Sequence, residues 1–462
     1  NKTLDLLEGA FALAFLFEGE EDLLIAARKG SPLAIGHGDG EMFVGSDAIA
    51  LSPMTDRITY LEEGDRAVLT RNSLEIRDTT GALANREVKT IQIDVGQVDK
   101  AGYKHYMAKE IAEQPTVIAE AIRHYLPVGE DTVRLPGENI DFSKIERLTM
   151  VACGTAFYAC LTAKYWFEQI ARLPVEVDIA SEFRYREPPI PGKTAALFVS
   201  QSGETADTLA ALRYCEGKAD KILSVVNVPE SSIARESDLA LPIHAGVEIG
   251  VASTKAFTCQ LSVLLMLALK AACDRNEISA EDLQTHIDGL RGLPNALAAG
   301  LEQNDALQRA AKKLSESRDV LFLGRGLMYP LALEGALKLK EISYIHAEAY
   351  ASGELKHGPI ALIDNQMPVV VFAPCDAVFD KSISNMQEVM AREGKVLLVS
   401  DSSGLAQAGE EAWGSVQMPH IHPNLAPILY ALPAQLLAYH TAVAKGTDVD
   451  QPRNLAKSVT VE

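Results

Sequence analysis

Four stretches of this sequence combine residue types that can do chemistry. The first is Ser200-Gln201-Ser202-Gly203-Glu204-Thr205, three hydroxyls around a glycine, followed by a helix predicted to start near Ala206. Hydroxyls and free N–H groups at a helix start form a seat for an anion, and Gly203 lets the backbone approach closely. The G-K-[ST] ending of a nucleoside-triphosphate loop is absent, so a phosphate monoester, most naturally a small phosphorylated sugar, fits better than a Mg-bound triphosphate. The same residues also describe an ordinary Ser/Thr-capped helix start.

The second stretch is Glu334-Gly335-Ala336-Leu337-Lys338-Leu339-Lys340-Glu341, on a helix predicted to start near Pro330. At 100° per residue Glu334, Lys338 and Glu341 form one stripe, flanked by Leu331, Gly335 and Ile342 on one side and by Leu333, Leu337 and Tyr344 on the other. A charged stripe hemmed in by apolar strips reads as a Lys–Glu group in a cleft, its protonation tuned by partial burial. The plainer reading is a set of i,i+3 and i,i+4 surface pairs. Third comes His357, in the glycine-flanked loop Gly353 to Pro359, suited to proton transfer or else a turn residue without chemistry. Fourth is the polar tail from Asp450 to Glu462, either a frayed terminus or a flap that lays Lys457 over a ligand.

The elements that must position these residues follow from the hydrophobic pattern. Residues 1–94 read as a β-rich unit of short extended runs, Ala10 to Phe17, Leu23 to Ala27, Met42 to Val44, Ala67 to Leu69 and Leu74 to Ile76. A polar stretch around Asp94 to Gly102 and helical spacing from Tyr103 to Tyr125 make 95–137 a linker and helix. Strands then alternate with helices twice, which predicts an α/β fold with parallel sheets covered on both faces. Leu148 to Ala152, Ala195 to Val199 and Ile222 to Val226 are matched by Val320 to Leu323, Val369 to Phe372 and Val396 to Val399, an offset of roughly 170 residues that suits a duplicated domain. The copies are placed at 138–279 and 311–449, joined by a helical stretch around Asp282 to Ser315, with 450–462 as the tail. Ligands gather at the carboxyl ends of such strands, where Ser200 to Thr205 falls. The equivalent place in the second copy, Ala373-Pro374-Cys375-Asp376, has no comparable hydroxyls. One copy keeps an anion seat and the other is freed for something else.

Bulk composition excludes several classes. A net charge of -20 argues against a general nucleic-acid binder. The six cysteines show no C-x-x-C pair and read as reduced thiols of a cytoplasmic protein, with no zinc site. The most membrane-like run, Leu261 to Leu269, falls well short of the ~20 residues needed to span a bilayer. No signal peptide is evident. The chain opens on Asn1 and runs at once into the apolar segment Leu6 to Phe17, which suggests a fragment or processed product.

Taken together, these segments resemble the glucosamine-6-phosphate synthases, the isomerising glutamine:fructose-6-phosphate aminotransferases, whose sugar-phosphate isomerase (SIS) domain occurs as a tandem pair. The resemblance rests on Cys153-Gly154-Thr155, Ala180 to Tyr185, Ser200 to Thr208, Gly250 to Phe257, Glu334 to Tyr350, Glu354 to Pro359 and Asp450 to Glu462. It implies that Thr155, Ser200, Gln201, Ser202 and Thr205 bind the sugar phosphate and that Val251 and Ser253 line the sugar. It implies a Schiff base between Lys457 and C2 of fructose 6-phosphate, which needs a neutral amine. Glu341 would move the proton between C1 and C2, Lys338 would assist, and His357, arriving from the neighbouring subunit of a homodimer, would open the ring. Ala156 stands where the family usually has serine, so one hydroxyl to the sugar is lost while the backbone N–H stays.

Residues 1–94 resemble the second half of the family's glutaminase domain, through Arg28 to Leu33, Gly45-Ser46-Asp47 and Glu62 to Asp65. That domain uses an N-terminal cysteine, whereas this sequence has none before Cys153. Either the first half of the domain lies outside this sequence, or the protein uses free ammonia or isomerises only. The implied partners are fructose 6-phosphate and glutamine or ammonia, with no cofactor, metal, nucleic acid or membrane. The alternatives are a sugar-phosphate isomerase or amino-sugar-phosphate deaminase of the same fold, and a non-catalytic sugar-phosphate sensor. The sensor requires a DNA-binding module, and no helix-turn-helix or basic face is evident.

Overall fold

A computed structural model describes residues 3–90, 99–137 and 140–460. The boundary expected at 94–95 lies outside the described residues, as do Val461 and Glu462 of the tail. The chain divides into two compact units, one of Asn1–Asp99, Glu204–Ala210 and Ser458–Glu462, the other of Lys100–Gly203 and Ala211–Lys457.

The first unit is built on antiparallel strands: β1 (Phe11–Leu16), β2 (Leu24–Lys29), β3 (Ala34–His37), β4 (Met42–Gly45), β5 (Arg57–Tyr60), β6 (Arg66–Leu69), β7 (Leu74–Arg77) and β8 (Lys89–Thr90). They form two four-stranded sheets, in the orders β1-β2-β6-β7 and β4-β3-β5-β8. A small core of Ala26, Leu33, Ile35, Leu61, Ala67, Leu69 and Ile76 sits within it. Asp65, fully buried, receives both Arg86 Nε and Nη2 at 2.9 Å, a bidentate pair that fixes the turn from β5 to β6. One expectation is corrected here. The N–H of Ala206 is not open to a ligand, because it donates to the carbonyl of Val459 at 3.0 Å. Ser31 Oγ holds the next tail carbonyl, that of Thr460, at 2.9 Å.

The second unit carries the duplication. Strands β9 (Arg147–Ala152), β10 (Val175–Ile179), β11 (Thr194–Ser200), β12 (Lys221–Val226) and β13 (Leu239–Pro242) form one sheet, and β14 (Asp319–Gly324), β15 (His346–Ala351), β16 (Pro368–Phe372), β17 (Lys395–Asp401) and β18 (Gly414–Met418) form another. Both are wholly parallel, and both run second-first-third-fourth-fifth: β10-β9-β11-β12-β13 and β15-β14-β16-β17-β18. In that order the chain switches direction between the first and third strands, so a crevice opens at their carboxyl ends. Thr155 opens the helix that follows β9, and Ser200 ends β11 with Gln201 and Ser202 in the loop beyond it.

The helices Gly154–Ile170, Lys255–Asp274, Met328–Ser343 and Ala426–Lys445 contribute to one apolar cluster that draws on both copies. Gly335 lets the 328–343 helix settle on its sheet, since a Cβ there would lie 3.0 Å from Phe322 and 3.4 Å from Phe372. The expected nine-residue run Leu261 to Leu269 is only the middle of a 20-residue helix, Lys255–Asp274, long and apolar enough to cross a membrane by length and composition. It is a core helix here, its apolar window 89% buried inside the protein. Its buried hydroxyls are satisfied, Thr258 by Gln114 Oε1 at 2.8 Å and Ser262 by the Thr258 carbonyl at 2.8 Å.

Candidate active site

At the end of β11 the chain turns sharply. Gly203 has φ +67°, a conformation that side-chain-bearing residues rarely adopt, and a Cβ there would come within 1.9 Å of Ser231 Oγ. The buried Ser200 Oγ accepts the Gly203 N–H at 3.0 Å and thereby folds the loop onto itself. The Gln201 and Gly203 carbonyls accept from Asn227 and Ile233 at 3.1 and 3.0 Å, which pins the loop to the segment after β12. Gln201 and Ser202 stay half-buried on this frame. Thr205 groups with the first unit, where its carbonyl accepts from Leu209 at 2.9 Å.

Thr155, expected on the phosphate, has another engagement. It sits in the first turn of the helix Gly154–Ile170, and its hydroxyl donates to Glu334 Oε1 at 3.2 Å. Ala156, beside it, packs against the shared apolar cluster.

The Glu334, Lys338, Glu341 stripe is not a surface feature. Glu334 and Lys338 are fully buried and Glu341 is mostly so. Lys338 Nζ lies 2.6 Å from Glu341 Oε2 and 3.5 Å from Glu334 Oε1. One ammonium cannot neutralise two carboxylates. Burial, opposed by Lys338 and reinforced by Glu341, pushes Glu334 up to about 8, and its Oε2 has no hydrogen-bond partner among the described residues. Burial pulls Lys338 down, but the two glutamates outweigh it and hold the ammonium well above the ordinary lysine range. Because the short contact is to Glu341, Glu334 is the carboxyl that takes up a proton. The site thus places a fixed cation beside a carboxyl poised near neutrality.

The tail is tied down, which removes the frayed-terminus reading. Asp450 caps the helix Tyr106–Tyr125 by accepting the Tyr106 and Met107 N–H groups at 2.9 and 3.0 Å, where His105 offers no side-chain cap. Its carbonyl accepts the Val251 N–H at 3.0 Å. Arg453 N–H donates to Tyr344 OH at 2.9 Å, and its guanidinium stacks 4.2 Å from that ring. Lys457 then reaches Glu248 Oε2 at 2.6 Å and the Gly250 carbonyl at 2.8 Å. Val251 and Ser253 lie half-buried on the same loop.

Two residues at this point escaped the sequence reading. Glu248, fully buried at its side chain, accepts Thr254 N–H at 2.9 Å and Ala256 N–H at 3.0 Å on Oε1 and Lys457 on Oε2. Burial would raise it, yet Lys457 and the Ala256 and Thr254 N–H groups together lower it below the usual carboxylate range. Glu110 accepts the Ile249 and Gly250 N–H groups at 2.5 and 3.1 Å and is pushed up to about 7 by burial and then by Glu248. A signal was present: Glu110 falls on the stripe Met107, Ile111, Gln114, Ile118 that the 106–125 helix buries, and an acid on an apolar stripe asks for partners. Glu248 also contributes to raising Lys338, so the tail lysine and the buried stripe share one electrostatic field.

His357 stands apart. It ends a short 3-10 helix, Ser352–His357, rather than lying in an open loop, and its side chain is exposed. Among the described residues no hydrogen bond or ion pair joins it to Lys338, Glu341 or Lys457.

Comparison with known proteins accounts for this arrangement. The model of the SIS domain matches residues 141–270 and 313–445. A glutamine–fructose-6-phosphate aminotransferase (isomerizing) of Zymomonas mobilis is 56% identical over 462 residues, all of this chain and 76% of that protein. The chain belongs to the isomerising glutamine–fructose-6-phosphate aminotransferase family. Another family member, from Bradyrhizobium diazoefficiens, is 58% identical over 99% of this chain and 75% of its own length. Among solved structures, the C-terminal domain of the glucosamine-fructose-6-phosphate aminotransferase of Francisella tularensis superposes with a TM-score of 0.74 at 44% identity, covering 77% of this chain and all of that one. The family resemblance and the tandem SIS architecture read from the sequence both hold.

Proposed function

We propose that this chain is an enzyme that makes glucosamine 6-phosphate from fructose 6-phosphate and glutamine-derived ammonia. Relatives at 56–58% identity carry the name of that activity. The observation that carries the reading is the tail lysine, Lys457, held beside a buried acid and sharing its field with the Glu334–Lys338–Glu341 group.

In this reading Ser200, Gln201 and Ser202 hold the phosphate, with the Gly203 turn setting their spacing. Val251 and Ser253 flank the sugar, and the half-buried Ala156 offers its backbone there. Lys457, as the neutral amine, forms a Schiff base with C2 and is displaced by ammonia. Glu341 carries the proton between C1 and C2, its carboxylate steadied by the Lys338 ammonium at 2.6 Å. Thr155 supports the site through Glu334 as well as facing the phosphate end. His357, exposed in one chain, opens the sugar ring in the neighbouring subunit of a homodimer. None of the six cysteines forms a disulfide, in keeping with a reducing compartment that we take to be the cytoplasm.

Incubation with fructose 6-phosphate and an ammonium salt, and in parallel with glutamine, tests the reading. Glucosamine 6-phosphate formed from ammonium is expected. Isomerisation or deamination without any ammonia incorporation would instead assign one of the sister activities.

A further inference from the structure

We propose that Glu248 is the acid–base partner of Lys457: it holds the ammonium before reaction and takes its proton as the amine attacks the substrate carbonyl. The inference rests on the reading of Lys457 as the Schiff-base lysine. Such a lysine must lose a proton before it attacks, so some group must receive it. Lys457 Nζ has two neighbours, Glu248 Oε2 at 2.6 Å and the Gly250 carbonyl at 2.8 Å, and a peptide carbonyl is not basic enough to keep a proton. Glu341 is engaged by Lys338 at 2.6 Å. Glu110 bonds the Ile249 and Gly250 N–H groups rather than the lysine.

The geometry of Glu248 suits a fixed relay. Its Oε1 is anchored by Thr254 N–H and Ala256 N–H at the start of the helix Lys255–Asp274, so Oε2 is aimed at the tail without rotational freedom. Glu110 holds the N–H side of Gly250, the residue whose carbonyl is the other contact. The titratable groups facing Glu248 are Lys457 on the tail, Glu110 on the 106–125 helix, Lys338 on the 328–343 helix and Cys259 on the 255–274 helix. Only Lys457 hydrogen-bonds its Oε2 among the described residues.

The step balances without any further reactant. The Lys457 ammonium gives one proton to Glu248, and the freed lone pair forms the Nζ–C2 bond while the carbonyl π electrons move to oxygen. A second nitrogen proton passes to that oxygen, giving a carbinolamine. Glu248 returns its proton to the hydroxyl, the C2–O bond breaks, water leaves, and the nitrogen lone pair closes the C=N bond. The product is a protonated Schiff base facing an ionised Glu248, the same charge pair as at the start.

Glu248→Gln keeps the shape and an oxygen for Thr254 and Ala256 but cannot take a proton. In the full chain with fructose 6-phosphate and ammonium, kcat should fall by about a hundredfold or more, with KM for fructose 6-phosphate little changed. Borohydride should trap the Lys457–sugar adduct in the wild type at neutral pH, read by mass spectrometry. In E248Q, where no carboxylate takes the ammonium proton, the adduct should form at neutral pH at least about tenfold more slowly than in the wild type. A wild-type kcat and a wild-type rate of trapping in E248Q would overturn the role of Glu248. Absence of any trapped adduct on Lys457 in the wild type would instead overturn the Schiff-base reading itself. If E248Q does not melt cooperatively, Glu248→Asp keeps the charge and withdraws the carboxylate by one methylene. A lower kcat with retained KM in E248D supports the proposal, and a wild-type kcat counts against it.

Discussion

The two SIS copies share strand order and connection, yet the carboxyl ends of their third strands have opposite characters. After β11, Ser200 and Gly203 fold a hydroxyl-lined turn whose shape is set by hydrogen bonds within the loop. After β16, the Cys375 N–H donates to Asp401 Oδ2 at 3.1 Å, and Ser400 Oγ is spent on the Ala373 carbonyl at 2.5 Å. Burial would raise Asp401, but the Gly404 and Cys375 N–H groups and His420 lower it, so a carboxylate of the protein's own occupies the place of an external anion. The helix after the first strand differs in the reverse sense: in the first copy it carries Thr155 at its start, in the second the buried Glu334, Lys338 and Glu341. Duplication supplied two equivalent crevices, and in the proposed reading side-chain chemistry made one a seat for phosphate and the other a source of protons and charge.

Breaking the charged half should have the largest effect. Lys338→Met keeps the volume but strands two buried carboxylates, and a loss of about 3–5 kcal/mol is expected from chemical denaturation, with activity gone. In the phosphate half, Gly203→Ala forces a Cβ to within 1.9 Å of Ser231 Oγ at φ +67°. It should cost about 1–3 kcal/mol and raise KM for fructose 6-phosphate more than it lowers kcat. The closed seat supplies the control: Asp401→Asn should lower the melting temperature slightly and leave the kinetics near wild type, whereas a large rise in KM would mean that the second copy also holds phosphate.

The smallest effect sharpens the electrostatics. The folded-state value of Glu334 lies at about 8 against an ordinary 4.5, so the folded protein binds more protons than the unfolded chain between those values. Stability from this carboxyl is present below pH 4.5 and is lost as pH rises through 8. Glu110, raised to about 7, acts in the same direction. Glu334→Gln still accepts from Thr155, and its melting temperature should decline less than that of the wild type between pH 5.5 and 8.

What the sequence made legible follows from where apolar residues must lie. The central strands β9, β11, β12, β14, β16 and β17 are continuous apolar runs because both faces are covered. The edge strands β10, β15 and β18 are harder to read, since they alternate or carry charge, as in Val175-Glu176-Val177-Asp178-Ile179 with its half-exposed pattern, and β13 is a four-residue run that ends in Pro242. The buried stripe was legible because charge between two apolar strips has nowhere exposed to go. Glu248 was not, because a lone acid in an apolar run has no spacing to betray its partner, and Lys457 lies 209 residues away. Thr155 could be assigned to an anion seat but not to Glu334, since that bond depends on how the two copies pack. His357 is exposed and joined to none of Lys338, Glu341 or Lys457 among the described residues, so it gives no local sign of a role.

The most direct test of this division of labour joins binding to turnover in Lys457→Ala. Calorimetric titration with fructose 6-phosphate should show an affinity within about tenfold of the wild type, a change of about 1.4 kcal/mol at most, while isomerisation is abolished. Full turnover by this variant, or loss of sugar-phosphate binding together with activity, would contradict the separation of phosphate seat from chemistry.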